Sequence, residues 1–290
     1  MAHLGMIFQP TSAPERLLPV ARRAEQAGVE ELWVWEDCFK ESGIASVTAA
    51  LAATERLRVG VGILPMPLRN AALTAMELAT VERLFPGRAR FGVGHGVLYW
   101  MGQVGGRVGS PLTLMREYVP ALRALLAGEE VSVDGRYVHL DRVRLDWPPR
   151  QHLPVLAAGE GPKTLALTGA VADGTVLSAG WSPDAVRGAV ERIRAGRQEA
   201  GRDGLHEVVV FLMADFGPGA ADRMAAELDR WGLPADRRFA ATGDDAAIES
   251  AVRQLIAAGA TTVLLQSRSE EPDLDGYADA VGRIQDRLAG

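Results

Sequence analysis

Eight short apolar runs, each followed by a longer helical one, restrict this chain more than any other feature. They fall at residues 3–8, 31–35, 58–64, 89–94, 154–158, 174–179, 207–214 and 261–266. Continuous apolar strands alternating with amphipathic helices are the pattern of parallel strands joined by crossover helices. The first helical run, PERLLPVARRAEQAG, places Leu17, Leu18, Ala21, Ala24 and Ala27 near one face and ends at Gly28. Glycine tolerates the left-handed end of a helix, and ALRALLAG and AIESAVRQLIAAG end the same way. A doubly wound sheet uses similar units, but eight in succession without a long break fit closure into a single (β/α)8 TIM barrel better. One segment falls outside the alternation. VSVDGRYVHLDRVRLDWPP, residues 131–149, carries Asp134-Gly135 as a hairpin signal and reads as a β-ribbon inserted before the fifth barrel strand.

A length of 290 residues, nearly half of them apolar, suits one such barrel or two smaller domains. No linker-like composition divides the chain, so residues 1–290 read as one domain. A net charge of -6 offers no basic field for nucleic acid or an anionic membrane. MAHLGMIFQP lacks the basic and apolar regions of an export signal, and no stretch of about twenty residues stays apolar, so a cytoplasmic protein is expected. Cys38 is the only cysteine, and the five histidines show no paired ligand spacing. Neither an internal disulfide nor a protein-ligated metal is expected.

A barrel of this type places its site at the C-terminal strand ends. Those ends read Trp35-Glu36-Asp37-Cys38, Gly62-Ile63, Gly94-His95-Gly96, Gly159-Glu160-Gly161 and Ala179-Gly180-Trp181. Glycine lets a backbone approach a planar or phosphorylated ligand, although it also serves any tight βα turn. Four of these five ends carry glycine, and the coincidence of all five at one face favours a ligand. In AAGEGPKTLALTGAVADG a strand is followed by Gly159, Glu160 and Gly161, and a helix opens at Pro162 with Lys163 and Thr164. Free amides at that helix start, with a lysine and a hydroxyl, would hold a phosphate. The alternative is an ordinary Pro-started helix, but Lys163 is one of only two lysines among many arginines.

Three residues at the strand ends are candidates for acid–base work. Glu36 and Asp37 are neighbouring carboxylates that can raise one another's pKa, or can cap a helix and form ion pairs. His95 has the side chain whose ordinary pKa suits proton transfer near neutrality, or it fills the barrel mouth. Cys38 has no nearby histidine partner and reads as packing.

The segments ELWVWEDCF, GVGILPMPLRNAALTAMELATVERLFPGRARFGVGHG, VDGRYVHLDRVRLDWPP and AAGEGPKTLALTGAVADG, in this order and spacing, resemble the bacterial luciferase-like family of flavin and deazaflavin oxidoreductases, especially its coenzyme F420-linked branch. The resemblance covers essentially the whole chain. It implies a barrel that binds F420, or alternatively FMN, with the ring inside the C-terminal mouth and the phosphate at an outer turn. It also implies a non-prolyl cis peptide at Gly62-Ile63, with Ile63 as an apolar backstop to the ring. Gly94, Gly96, Gly159, Glu160, Gly161, Lys163, Thr164 and Gly180 join Gly62 and Ile63 as expected cofactor contacts, and Glu36, Asp37 and His95 as expected catalytic residues. Relatives often have a histidine after the acidic residue of the second strand, where this chain has Asp37 and Cys38. Some have a carboxylate after the fourth strand, where VLYWMGQ offers an apolar and aromatic pocket, to which Trp181 would add a wall. The implied activity is F420-dependent hydride transfer to or from a small, largely apolar substrate. An FMN-dependent monooxygenase and a catalytically silent binding protein are the alternatives. Relatives associate through barrel helices, so a homodimer is expected, with AALTAMELAT as a contact.

Overall fold

Strands rich in valine, leucine and isoleucine and buried on both faces build the centre of the computed structural model, which describes residues 3–234 and 237–289. The strands are β1 (His3–Ile7), β2 (Glu31–Val34), β3 (Arg58–Pro65), β4 (Ala89–Gly94), β5 (Val131–Asp134), β6 (His139–Val143), β7 (Val155–Ala158), β8 (Gly174–Leu177), β9 (Glu207–Phe216), β10 (Ala240–Gly243) and β11 (Thr262–Gln266). Parallel pairing runs β1, β2, β3, β4, β7, β8, β9, β11 and returns to β1, closing an eight-stranded barrel. Each fully buried aliphatic side chain contributes roughly 1.5–3 kcal/mol through burial, so closure gains on both faces of every strand.

The helices surround the barrel: α1 (Leu17–Gln26), α2 (Gly43–Ala52), α3 (Ala71–Leu84), α4 (Leu98–Gln103), α5 (Pro111–Leu126), α6 (Pro162–Val171), α7 (Pro183–Glu199), α8 (Ala220–Arg230), α9 (Asp245–Ala257) and α10 (Leu274–Ala289). Helix α1 buries Leu17, Val20, Ala21 and Ala24, and Gly28 follows it with φ of +81°. Leu18 and Ala27 are only half-buried, a rotation of the apolar face toward Val20. No helix among the described residues is long and apolar enough to cross a membrane. Leu73, Met76 and Leu84 of α3, in and beside the expected self-association segment, are exposed.

The inserted ribbon is the antiparallel pair β5 and β6, turned at Gly135, whose N–H donates to the Val138 carbonyl. Glu117 of α5 accepts from the N–H groups of Arg136, Tyr137 and Val138, which fastens the ribbon tip to the barrel. Besides the ribbon, one further strand among the described residues lies outside the eight units. Strand β10 pairs in parallel with the far end of β9, Ala240 opposite Met213 and Gly243 opposite Phe216, so β9 projects beyond the barrel.

Candidate functional site

The inward side chains of the last barrel layer are unequal in size. Gly94, Ala158 and Ser178, from three successive strands or their exits, line one side of a cavity of about 550 Å³ at the C-terminal mouth, and Gly62 of β3 lines it where the Phe211 ring packs close. Trp35, Phe211 and Gln266 line the other side, and Trp231, from the end of α8, closes over it. The Trp35 and Phe211 rings stack at 6.3 Å with 23° between planes, and Trp231 meets Trp35 edge-on at 6.2 Å and 83°. A wall of small residues facing a wall of aromatic planes makes a slot suited to a flat ring. Val97, Leu98 and Trp100 form an apolar rim, and Tyr99 beside them is exposed.

The backbone on the small-residue side is irregular where the sequence anticipates it. The Gly62-Ile63 peptide is cis, and the β3–β4 register shifts between Val61 and Leu64. A second cis bond, Cys38-Phe39, has no counterpart among the sequence expectations. The Ile63 side chain lies across β4 at the cavity wall: a Cβ at Gly92 would stand 3.0 Å from its Cγ2, and one at Gly94 3.1 Å from its Cδ1. A Cβ at Gly62 would stand 3.0 Å from the Phe211 ring. These glycines therefore make room for protein neighbours, and it is Ile63 that a ligand would meet.

Glu36 and Asp37 both line the cavity, with different surroundings. Arg69 donates to Glu36 Oε1 at 2.5 Å and to Oε2 at 2.8 Å, and the Gly43 N–H at the start of α2 donates to Oε2 at 2.7 Å. The third arm of Arg69, Nε, reaches Glu77 of α3 at 3.2 Å. Glu36 is thus engaged by protein donors, as a helix cap and an ion pair, and ties the exits of β2 and β3 to α2 and α3. Burial pulls the Arg69 guanidinium down, but its bonds to Glu36 and the charges of Glu36 and Glu77 outweigh that and hold it above its ordinary value. Burial raises the Asp37 carboxyl, against the lowering effects of its bond to Trp35 and of Lys40. A raised carboxyl keeps its proton to higher pH and can donate it.

His95 stands exposed at the rim, with Nδ1 2.6 Å from the Gly96 carbonyl. A carbonyl only accepts, so Nδ1 is the donor in this bond and Nε2 is left open toward the cavity. Gly96 adopts φ of +66° against Pro65 and Met101, a conformation that lets this turn fold back on itself.

Gly159, Glu160, Gly161 and Thr164 line the cavity at the exit of β7. Ser178 Oγ donates to Glu160 at 2.5 Å, and Arg237 stands 3.5 Å from the other Glu160 oxygen. Helix α6 starts behind Gly161 with Pro162 in its first turn and no side chain capping it, whereas Ser42, Asn70, Ser110, Ser182 and Asp244 cap α2, α3, α5, α7 and α9. Its first amides are open to an acceptor at the cavity edge. Lys163 is exposed on the outer side of the turn and lies off the cavity wall.

Two expected contributors sit elsewhere. Gly180, at φ of +92°, lets the chain near Arg237 pass: an added Cβ would lie 2.0 Å from the Arg237 carbonyl oxygen. Trp181 is buried beneath Arg237, whose guanidinium lies 4.2 Å from the ring centroid, and it forms no wall. Sequence reasoning passed over Trp35, Phe211 and Gln266 as site residues, although each follows the alternation of inward side chains at a strand end. Nothing in the local sequence marks Trp231 or the pairing of Arg69 with Glu36.

Residues 2–283 match the family model described as luciferase-like monooxygenase. The chain is 30% identical over 199 residues to a 5,10-methylenetetrahydromethanopterin reductase of Methanolobus tindarius, covering 69% of this chain and 60% of the relative. It is 29% identical over 223 residues to an F420-dependent glucose-6-phosphate dehydrogenase of Mycolicibacterium fortuitum, covering 70% and 66% respectively. Each match spans less than two thirds of the relative's own length. Among solved structures, an F420-dependent secondary alcohol dehydrogenase in complex with an F420-acetone adduct superposes with a TM-score of 0.86 at 22% identity, covering 98% of both chains, which is a likeness of fold.

Proposed function

We propose that this chain, which belongs to the luciferase-like monooxygenase family, is an oxidoreductase that uses coenzyme F420 to move a hydride to or from a small, largely apolar organic substrate. The observation that carries this reading is the slot between the small-residue wall and the aromatic wall, running to the uncapped start of α6. A flat ring fits the slot, and a phosphate suits the open amides at its edge. The relatives named for F420 favour this cofactor over FMN.

Ile63, Trp35 and Phe211 would hold the ring and exclude water, and Gly161 and Thr164 would receive the phosphate end, with Lys163 adding charge from outside. When bound, F420 supplies a hydride donor or acceptor in its central ring. The chain's own task is the accompanying proton. A carbonyl that receives a hydride needs a proton on its oxygen, and an alcohol that gives one up must release it. His95 Nε2 takes or returns that proton, and Asp37, whose carboxyl burial raises, is the second candidate. Val97, Leu98 and Trp100 give the substrate side its apolar character.

Fluorescence titration of the purified chain tests the cofactor assignment. F420 should bind more tightly than FMN. Equal or tighter binding of FMN would turn the reading to a flavin monooxygenase, and binding of neither would remove it. With a substrate found among alcohols and carbonyl compounds, His95→Gln should lower turnover about 100-fold or more and leave F420 affinity within twofold. Full turnover in both His95→Gln and Asp37→Asn would assign these residues to pocket shape alone.

A further inference from the structure

Strand β11 presents Thr262, Leu264 and Gln266 to the barrel interior by strand alternation, and Gln266 is the last of them, at the cavity floor. Its side chain is 1% exposed, and its Nε2 is buried with no hydrogen-bond partner. The residues paired with it in register, Ile7 of β1 and Met213 of β9, are apolar and fully buried. The nearby Gln9 does not pair with it: Gln9 Nε2 donates to the Ser267 carbonyl at 2.6 Å and lies 3.2 Å from Ser267 Oγ, and Gln9 Oε1, the atom that could accept from Gln266, is itself buried without a partner. A carboxamide kept without a partner between apolar neighbours costs stability, and it faces the one space where a ligand could repay it.

We propose that Gln266 is the group that recognises the pyrimidinedione edge of the deazaflavin ring, an assignment that rests on the F420 reading above. A carboxamide offers a donor and an acceptor side by side, which complements the adjoining C=O and N–H of a cyclic imide and makes two hydrogen bonds. A small apolar substrate has no such edge. The two glutamates of the wall are engaged in the protein, Glu36 by Arg69 and Gly43, and Glu160 by Ser178 and Arg237. Opposite Gln266 across the barrel stands β4, whose exit carries His95, so a ring anchored by one edge at Gln266 leaves the far side of the mouth to substrate and proton transfer.

Gln266→Leu separates this role from a structural one, because the two move stability and binding differently. Loss of a ring anchor predicts an apo protein whose thermal midpoint is unchanged or higher, since an unpaired amide has been removed. It also predicts F420 affinity lower by about tenfold or more, with a bound-state absorption band displaced from that of the wild type. A loss of affinity below threefold with an unaltered band overturns the assignment while the F420 reading stands. Reduced affinity accompanied by a lower thermal midpoint overturns it too, since Gln266 would then be supporting the fold. Failure of the wild-type chain to bind F420 removes the reading of function itself.

Discussion

Replacing Arg69 with methionine should destabilise the chain by about 3–5 kcal/mol at neutral pH, the cost of leaving a buried charge without its partner. The Arg69 and Glu36 side chains are 13% and 7% exposed, and their two-pronged contact is joined by Glu77 on the same guanidinium. Methionine fills a similar length and supplies no donor, so two carboxylates are left facing one another with the Gly43 N–H on one of them. Such carboxyls hold a proton in the folded state to a higher pH than in the unfolded state. Stability from a raised carboxyl is present below its folded value and lost as pH rises through it, so the deficit should be smaller at pH 5 than at pH 8. Urea unfolding at both pH values measures this. A loss of less than about 1 kcal/mol would make the pair a water-screened surface bridge, and the idea that it braces the mouth would fall. Because the pair ties β2, β3, α2 and α3 together beside the slot, Arg69→Met should also weaken F420 binding, with Arg69 acting as a positioning residue.

The same pair shows where reading the sequence reached and where it stopped. The barrel strands are legible because their side chains are buried on both faces, which leaves unbroken apolar runs such as VVVFLMA and TVLLQ. The β-ribbon is legible because Asp134-Gly135 marks its turn locally. Strand β10, AATG, carries no apolar run and exists because β9 projects far enough to pair with it, a condition set by tertiary structure. Turns at strand ends are likewise legible as a group, since parallel strands in a barrel all end on one face. What each turn residue does is another matter. Glu36 and Arg69 are separated by 33 residues, and only closure of the barrel shows that the carboxylate is engaged. Gly180 looked like a ligand glycine beside a pocket tryptophan, yet its conformation serves the backbone at Arg237 and Trp181 lies under that arginine. Alternation along β11 contains the signal for Gln266, a polar residue at an inward position, but a sequence cannot show that its amide lacks a partner.

His206 should make the fold acid-sensitive from about pH 6.5 downward, starting above the range in which ordinary carboxylates titrate. Burial pushes its imidazole down from 6.5 to about 4, with the positive charges of Arg197 and Arg202 adding to the effect and Asp173 opposing it. The hydrogen bonds agree with a neutral ring. Arg197 donates to Nδ1 at 3.2 Å, so the ring proton sits on Nε2 and is given to Thr175 Oγ1 at 2.8 Å. Thr175 in turn bonds Thr168 at 2.7 Å, and Thr168 donates to the Leu165 carbonyl at 2.9 Å, a relay in which each donor finds one acceptor and which fastens α6 to β8. Protonating Nδ1 would set a cation against Arg197 and break that order. Since the folded value lies below the unfolded one, the unfolded chain binds the extra proton between about pH 4 and 6.5, and stability falls as pH drops through that window. At 1.36 kcal/mol for each pH unit, the loss attributable to this one group approaches about 3 kcal/mol by pH 4. His206→Gln removes the titration. Unfolding free energies of wild type and variant, measured from pH 7 to pH 4, should therefore converge as pH falls, the wild type starting higher and declining more steeply. Parallel curves would show that His206 titrates alike in the folded and unfolded chains, and the acid sensitivity would have to come from elsewhere.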